Sequence, residues 1–496
     1  VSGGGREHWG SSIGFVLAAA GSAVGLGNIW RFPYYTGENG GAAFVLVYIL
    51  CVLLLGFPLM FAELCLGRHT QKNAVGAFAS VKPNSPWFLA GSLGVLAGFL
   101  ILSYYSVVAG WTIGYFVESV FGVFRSFKGA TEVSGYFKAF SANPLKAIGY
   151  HALFMVLCMV IVIRGVKSGI ERWSKVLMPT LFGILVLSIV RALTLPGSFA
   201  GLKFLLYPDF SRFSLDTVFL AMGQAFYSLS LGMGCMITYG SYLQRKTNIP
   251  ANGLWIAGLD LMVALLAGFA IFPAVFAFGL KPTEGAGLVF QTLPNIFCVM
   301  PAGVICGPLF FLLLVIAALT SGISLLEVVT AYFIDEKGWS RRKTVLISGS
   351  VIFLLGIPSA LSFGKMAKPI VFGRTPFDFV DKLTANYILP FGSILIAIFV
   401  GYVWGRDKAT REVMKGTPGF KLAPLWLFLL RYFCPVVVAQ ILIFGFLSEF
   451  TSERMKSLTG TLQWYFILID LALFAVVIGW TVYFFISGRK KEYAHG

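Results

Sequence analysis

Gly21-Ser22-Ala23-Val24-Gly25-Leu26-Gly27-Asn28 packs three glycines and an amide into eight residues in the middle of an apolar stretch running from about 13 to 37. Glycine costs about 1 kcal/mol against alanine inside a helix, so the run is expensive unless small size or an unwound backbone is wanted. A second run, Ser228-Leu229-Ser230-Leu231-Gly232-Met233-Gly234, interrupts the apolar stretch 217–243 in the same way. One such run is explained by close packing of helices through small residues. Two at corresponding depth, five apolar stretches apart, need another account.

The chain around these runs has the composition of a membrane protein. Of its 496 residues 57% are hydrophobic and only 12% charged, and the mean hydropathy is +0.83. That leaves too little polar surface for a water-soluble globule of this size. In hydrocarbon every backbone polar group must be satisfied internally, and apolar runs of about 20 residues match helices rather than strands. The expected fold is therefore all-α, with twelve transmembrane helices at 13–37, 42–70, 88–124, 147–164, 174–195, 217–243, 251–280, 305–334, 343–362, 378–404, 424–448 and 462–487. The loops at 125–146 and 196–216 are too short for a soluble domain, so 1–496 reads as a single transmembrane unit.

The 38 Lys and Arg against 21 Asp and Glu fall in short clusters between spans, which is topology information rather than a sign of nucleic-acid binding. The termini and the loops on their side hold 22 basic residues, from Arg6 to Lys491, against 14 on the other side. By the positive-inside rule both termini are expected in the cytoplasm. The absence of an Asn-x-Ser/Thr acceptor fits a bacterial inner (plasma) membrane. Five of the seven cysteines lie in apolar runs as small hydrophobes. Cys298 and Cys306, flanking Pro301 in an outer loop, leave a disulfide open.

Matching broken helices in two halves of a chain mark a transporter site, where half-helix ends and freed carbonyls meet ions and substrate. The adjacent hydroxyls of Thr320-Ser321, in an otherwise apolar eighth span, add oxygens beside the first break. Arg31, Glu63, Glu118, Asp260 and Glu327 are the ionisable groups within spans, each a functional candidate. No nucleophile–base pair or metal cluster argues for an enzyme, since the four histidines sit at or outside span ends. Scattered polar residues argue against a channel filter.

In order along the chain, Arg6-Glu7-His8-Trp9, the run from Ala20 to Pro33, Glu38-Asn39-Gly40-Gly41, Gly169 with Pro179, Gln224-Ala225-Phe226-Tyr227-Ser228-Leu229-Ser230 and Thr320-Ser321 resemble the neurotransmitter:sodium symporter family. The resemblance implies two inverted five-helix repeats, 13–195 and 217–404, followed by two helices over 424–487, with alternating access around a central site. It implies a sodium-coupled symporter of hydrophobic L-amino acids, aliphatic and aromatic. Another small amino acid or an amine is the alternative cargo. One sodium site would use Ala23, Asn28, Ser228, Asp260 and the substrate carboxylate; the other would use Gly21, Val24, Ala317, Thr320 and Ser321. Such oxygen-only sets suit a hard cation.

The same resemblance places the substrate among Ser22, Ala23, Gly27, Ile101, Tyr105, Tyr227, Ser228, Ser230, Met233, Ser321 and Leu325. It implies an outer gate of Arg31 with Asp381, closed by Tyr105 and Tyr227, and an inner gate of Arg6 with Asp335 near Trp9 and Tyr242. A homodimer stays open. The chain departs from leucine-carrying bacterial members at Tyr227 and Met233, where they have phenylalanines, and at Ser22 and Asp260, where they have asparagines. Monoamine-carrying members place an aspartate where this chain has Gly25. Chloride-requiring members place a serine where it has Ala264, so with the Asp260 carboxylate nearby chloride is not expected to be required.

Overall fold

The computed structural model describes residues 6–127, 129–280, 287–371, 373–417 and 419–451. Nine helices among them are long and apolar enough to cross a membrane, from Ala42–Thr70 to Ala423–Ile443. The first span is a bent pair, Ser12–Ala23 and Gly27–Glu38, turning by 54°. The sixth is also split, into Leu215–Ser228 and Cys235–Ser241. This makes eleven spans in the order read from sequence, while the twelfth, expected at 462–487, lies outside the described residues.

Local chemistry sets where these helices begin and break. The Ser11 hydroxyl caps the first span by accepting from Gly14 N at 3.0 Å, and Ser214 with Thr217 forms a capping box on the sixth. Val24 turns to an extended backbone, ending the first half-helix. In the sixth span Ser230, Gly232 and Gly234 take left-handed backbone angles. At Gly232 a Cβ would lie 2.5 Å from the Leu389 carbonyl oxygen, so only glycine fits this turn. Glu63, fully buried on the second span, accepts from the freed Gly232 N–H at 2.8 Å. An intramembrane carboxylate thus satisfies backbone that the break exposes.

Burial separates inner helices from outer ones. The apolar window of the eighth span, Gly303–Lys337, is 83% buried and that of the third, Phe88–Val120, 72%, against 33% for Val166–Leu193 and 39% for Pro144–Ile163. The eighth span packs along the third and against Ser12–Ala23, which sets both breaks beside the most enclosed helices.

Two expectations need correction, and one open pairing is decided. The fifth span begins at Val166 rather than 174, because the charges read as loop are paired: Glu171 accepts from Gly10 N at 2.6 Å, Ser11 Oγ at 2.8 Å and Lys175 Nζ at 2.7 Å. His151 lies inside the fourth span, fully buried against the Phe353 carbonyl oxygen at 3.0 Å, not at a span end. Cys298 and Cys306 are free thiols held on separate helices, Leu293–Val299 and Gly303–Lys337.

Candidate functional site

The two breaks face one another. Ser230 Oγ donates to the Ser22 carbonyl at 2.8 Å, and Ser22 Oγ donates to Ser324 Oγ at 2.7 Å on the eighth span. Between them lies a small cavity of about 30 Å³, lined by all eleven residues expected around the substrate, together with Gly25 and Leu26. Ile101, Met233 and Leu325 supply its apolar wall, and no side chain in the lining carries a charge. Leu26 was legible only as part of the break; its N–H points to Tyr105 OH at 3.5 Å. A Cβ on Gly25 would sit 2.7 Å from Ser321 Oγ and 3.2 Å from Tyr105 OH, so glycine keeps this wall open.

On one side of the cavity Asn28, Ser228 and Asp260 form a closed cluster, each at most 1% exposed. Asn28 Nδ2 donates to Asp260 Oδ1 at 2.7 Å and to Ser228 Oγ at 2.9 Å. Tyr48 OH reaches the other Asp260 oxygen at 3.3 Å. Ala23, of the same expected set, lines the adjoining cavity. Nearby, Gln224 Nε2 donates to the Gly27 carbonyl at 3.0 Å.

On the other side the second expected set converges. Ser321 Oγ lies 3.4 Å from the Gly21, 3.2 Å from the Val24 and 3.4 Å from the Ala317 carbonyl oxygens. Thr320 Oγ1 lies 3.5 Å from Val24 O and 3.0 Å from Ala317 O. Hard cations of this size take oxygens at roughly 2.3–2.6 Å, so ligands at right angles sit roughly 3.3–3.7 Å apart. The observed spacings run from 3.0 to 3.5 Å, and the Gly21 and Val24 carbonyls stand at the end of the first half-helix, whereas Ala317 lies within the unbroken eighth span. Among the described residues no cluster of histidine, cysteine and carboxylate side chains offers a transition-metal site.

Of the two expected gate pairs, the inner residues are in contact. Arg6 Nη1 meets Asp335 Oδ2 at 2.5 Å, and its guanidinium lies 4.9 Å above the Tyr242 ring. Trp9, 6% exposed, donates from Nε1 to Tyr239 O at 3.0 Å and closes the path beneath. Sequence reading missed the depth of this closure: Tyr242 OH donates to Glu327 at 2.6 Å, and Arg341 holds the same carboxylate from the next span at 2.7 Å. The outer pair, Arg31 and Asp381, does not close to salt-bridge distance. Arg31 Nε instead donates to Tyr35 OH at 3.0 Å, and the guanidinium lies 5.1 Å from the Tyr227 ring, where cation–π attraction holds it.

A bundle of apolar helices with two broken spans facing one small, largely apolar cavity, with backbone and hydroxyl oxygens on either side of it, has the architecture of a multi-pass membrane transporter. The pattern of the sodium:neurotransmitter symporter family matches residues 6–125 and 145–487. The chain is 41% identical to the sodium-dependent transporter YhdH of Bacillus subtilis, over 89% of this chain and 98% of that one. It is 35% identical to a sodium-dependent transporter of Haemophilus influenzae, over 88% and 98%. The crystal structure of MhsT in complex with L-phenylalanine is similar at a TM-score of 0.82 and 46% identity, covering 89% of this chain and all of that one. The chain belongs to the sodium:neurotransmitter symporter family and is a sodium-dependent transporter, not an enzyme.

Proposed function

We propose that the protein imports hydrophobic L-amino acids, aliphatic and aromatic, together with two sodium ions. The observation that carries this reading is the lining of the cavity: apolar Ile101, Met233 and Leu325 on one wall, unwound backbone on the other, and no carboxylate at Gly25. A substrate there must bring its own carboxylate, which an amino acid does and a monoamine does not. Met233 is flexible and polarizable, suited to side chains of different shape. The phenylalanine held by MhsT supports the same class.

In this reading Ala23, Asn28, Ser228 and Asp260 hold one sodium, completed by the substrate carboxylate, so substrate and ion stabilise each other by direct contact. Gly21, Val24, Ala317, Thr320 and Ser321 hold the second. The Asp260 carboxylate supplies negative charge beside the first, so chloride is not required. The inverted repeats 13–195 and 217–404 move against one another, opening first the Arg31–Tyr227 side and then the Arg6–Asp335 side, which faces a bacterial cytoplasm with both termini. An exposed ion pair contributes at most about 1 kcal/mol, so gates of this kind yield to the energy of binding.

Competition binding tests the substrate class. Leucine, tyrosine and tryptophan should displace a bound hydrophobic amino acid, and dopamine and serotonin should not. Stronger displacement by the amines would overturn the proposal in favour of an amine carrier.

A further inference from the structure

At the end of the bundle that carries the basic loops, a pocket of about 740 Å³ opens between the helix Arg406–Met414 and the eleventh span, Ala423–Ile443. Three guanidinium groups, from Arg406, Arg411 and Arg431, line it against the one carboxylate of Asp407. Arg431 is unusual because it belongs to a membrane span. A charge there is costly, and long basic side chains extend toward the polar interface. Its guanidinium lies 4.4 Å from the Tyr402 ring and 5.8 Å from the Tyr432 ring. Arg406 and Arg411 approach from the loop helix, so charge from the span and charge from the loop meet where the membrane begins.

The opposite wall is apolar, with Pro424, Leu427 and Phe428. From it a stripe of outward side chains climbs the eleventh span at helical spacing: Leu425 is 52% exposed, Phe428 56%, Tyr432 48% and Val436 59%. A cluster of arginines at the foot of an apolar track has two chemistries joined end to end. Guanidinium forks pair with phosphate oxygens, and basic pockets between spans on the cytoplasmic side hold lipid head groups.

We propose that this pocket binds the phosphate of an anionic phospholipid, with an acyl chain lying along the Leu425–Val436 stripe. It uses none of the residues of the central cavity, so it stands or falls apart from the transport reading. The apolar track argues for a lipid over a soluble phosphate ester, which would gain nothing from it.

The test is native mass spectrometry of the full chain in neutral detergent with phosphatidylglycerol, phosphatidylcholine and free glycerol 3-phosphate. Phosphatidylglycerol should be retained in preference to phosphatidylcholine, and glycerol 3-phosphate at the same concentration should not displace it. Each surface arginine near a lipid head group contributes about a fivefold factor, so the exposed pair Arg406→Gln with Arg411→Gln should weaken retention about 25-fold. Arg431→Lys keeps the charge and loses the planar fork, and should weaken it less. Equal retention of the two lipids, or an unchanged double variant, would overturn the proposal. Displacement by glycerol 3-phosphate would replace it with a soluble-anion site.

Discussion

The hydroxyl of Ser228 lies 2.9 and 2.8 Å from the two carboxylate oxygens of Asp260, tying the broken sixth span to the seventh. With Asn28 and Tyr48 on the same carboxylate, four spans meet at one negative charge. Asp260→Asn exchanges an acceptor for a donor facing Asn28 and Ser228. Hydrogen bonds to a charged group are worth about 1.5–3 kcal/mol, so sodium affinity should fall roughly 10- to 100-fold. Wild-type uptake should persist when gluconate replaces chloride, whereas the variant should be impaired and partly rescued by chloride. Loss of wild-type uptake in gluconate would show that Asp260 does not stand in for the anion.

Removing two of the five proposed oxygens of the second sodium site, by Thr320→Ala with Ser321→Ala, leaves an ion without replacements in a dry cage. Sodium should then support substrate binding only at concentrations at least tenfold higher. A sodium titration of binding checks this, and an unchanged midpoint would remove both hydroxyls from the assignment.

Gly25→Ala probes how closely the first break approaches the eighth span. The new methyl would press on Ser321 Oγ at 2.7 Å, and that hydroxyl is already held among four carbonyls. Substrate affinity should fall with sodium affinity, because Gly25 and Ser321 both line the cavity. Isothermal titration at fixed sodium reads the first and a sodium series the second; a variant that binds both normally would show that the wall yields.

Much of this site was legible because its signals are costly. Glycine runs in apolar helices and adjacent hydroxyls in the eighth span stand out against hydrocarbon, and part of each, including Ser22, Ala23, Gly25 to Gly27, Ser228 with Ser230, and Ser321, falls at one cavity. The family resemblance added the ligand sets, which spacing alone does not dictate. What stayed hidden depends on pairing across distant sequence. Arg68 reads as one more basic loop residue, yet its side chain is fully buried against Glu412, more than three hundred residues away. Glu171 reads as loop for the same reason. The two aromatic rings that flank Arg31, those of Tyr35 and Tyr227, were not legible as its neighbours either.

The Arg68 clamp has its own consequence for stability. Arg68 Nε donates to Glu412 Oε1 at 2.9 Å, and its other nitrogens donate to the Thr247, Lys415 and Glu412 carbonyls. Burial alone would raise the pKa of Glu412, but His69, Lys415 and Arg68 outweigh it and hold it at about 2. A depressed carboxylate contributes stability that is complete above its ordinary value of 4.5 and lost as pH falls toward 2. Arg68→Ala, which removes one of three basic partners of Glu412 and leaves three carbonyls without their donor, should cost about 3–5 kcal/mol. Thermal unfolding in detergent should show that loss at pH 7, and Glu412→Gln should flatten the decline between pH 4.5 and 2. An equally steep decline in Glu412→Gln would place the acid sensitivity elsewhere.

The central claim is sodium-driven uptake of hydrophobic amino acids, and the direct measurement is flux into proteoliposomes under an inward sodium gradient. Labelled leucine, phenylalanine and tryptophan should accumulate above their external concentration, and collapse of the gradient should abolish accumulation. Uptake confined to glycine or charged amino acids, or flux of the hydrophobic ones that ignores sodium, would contradict the account.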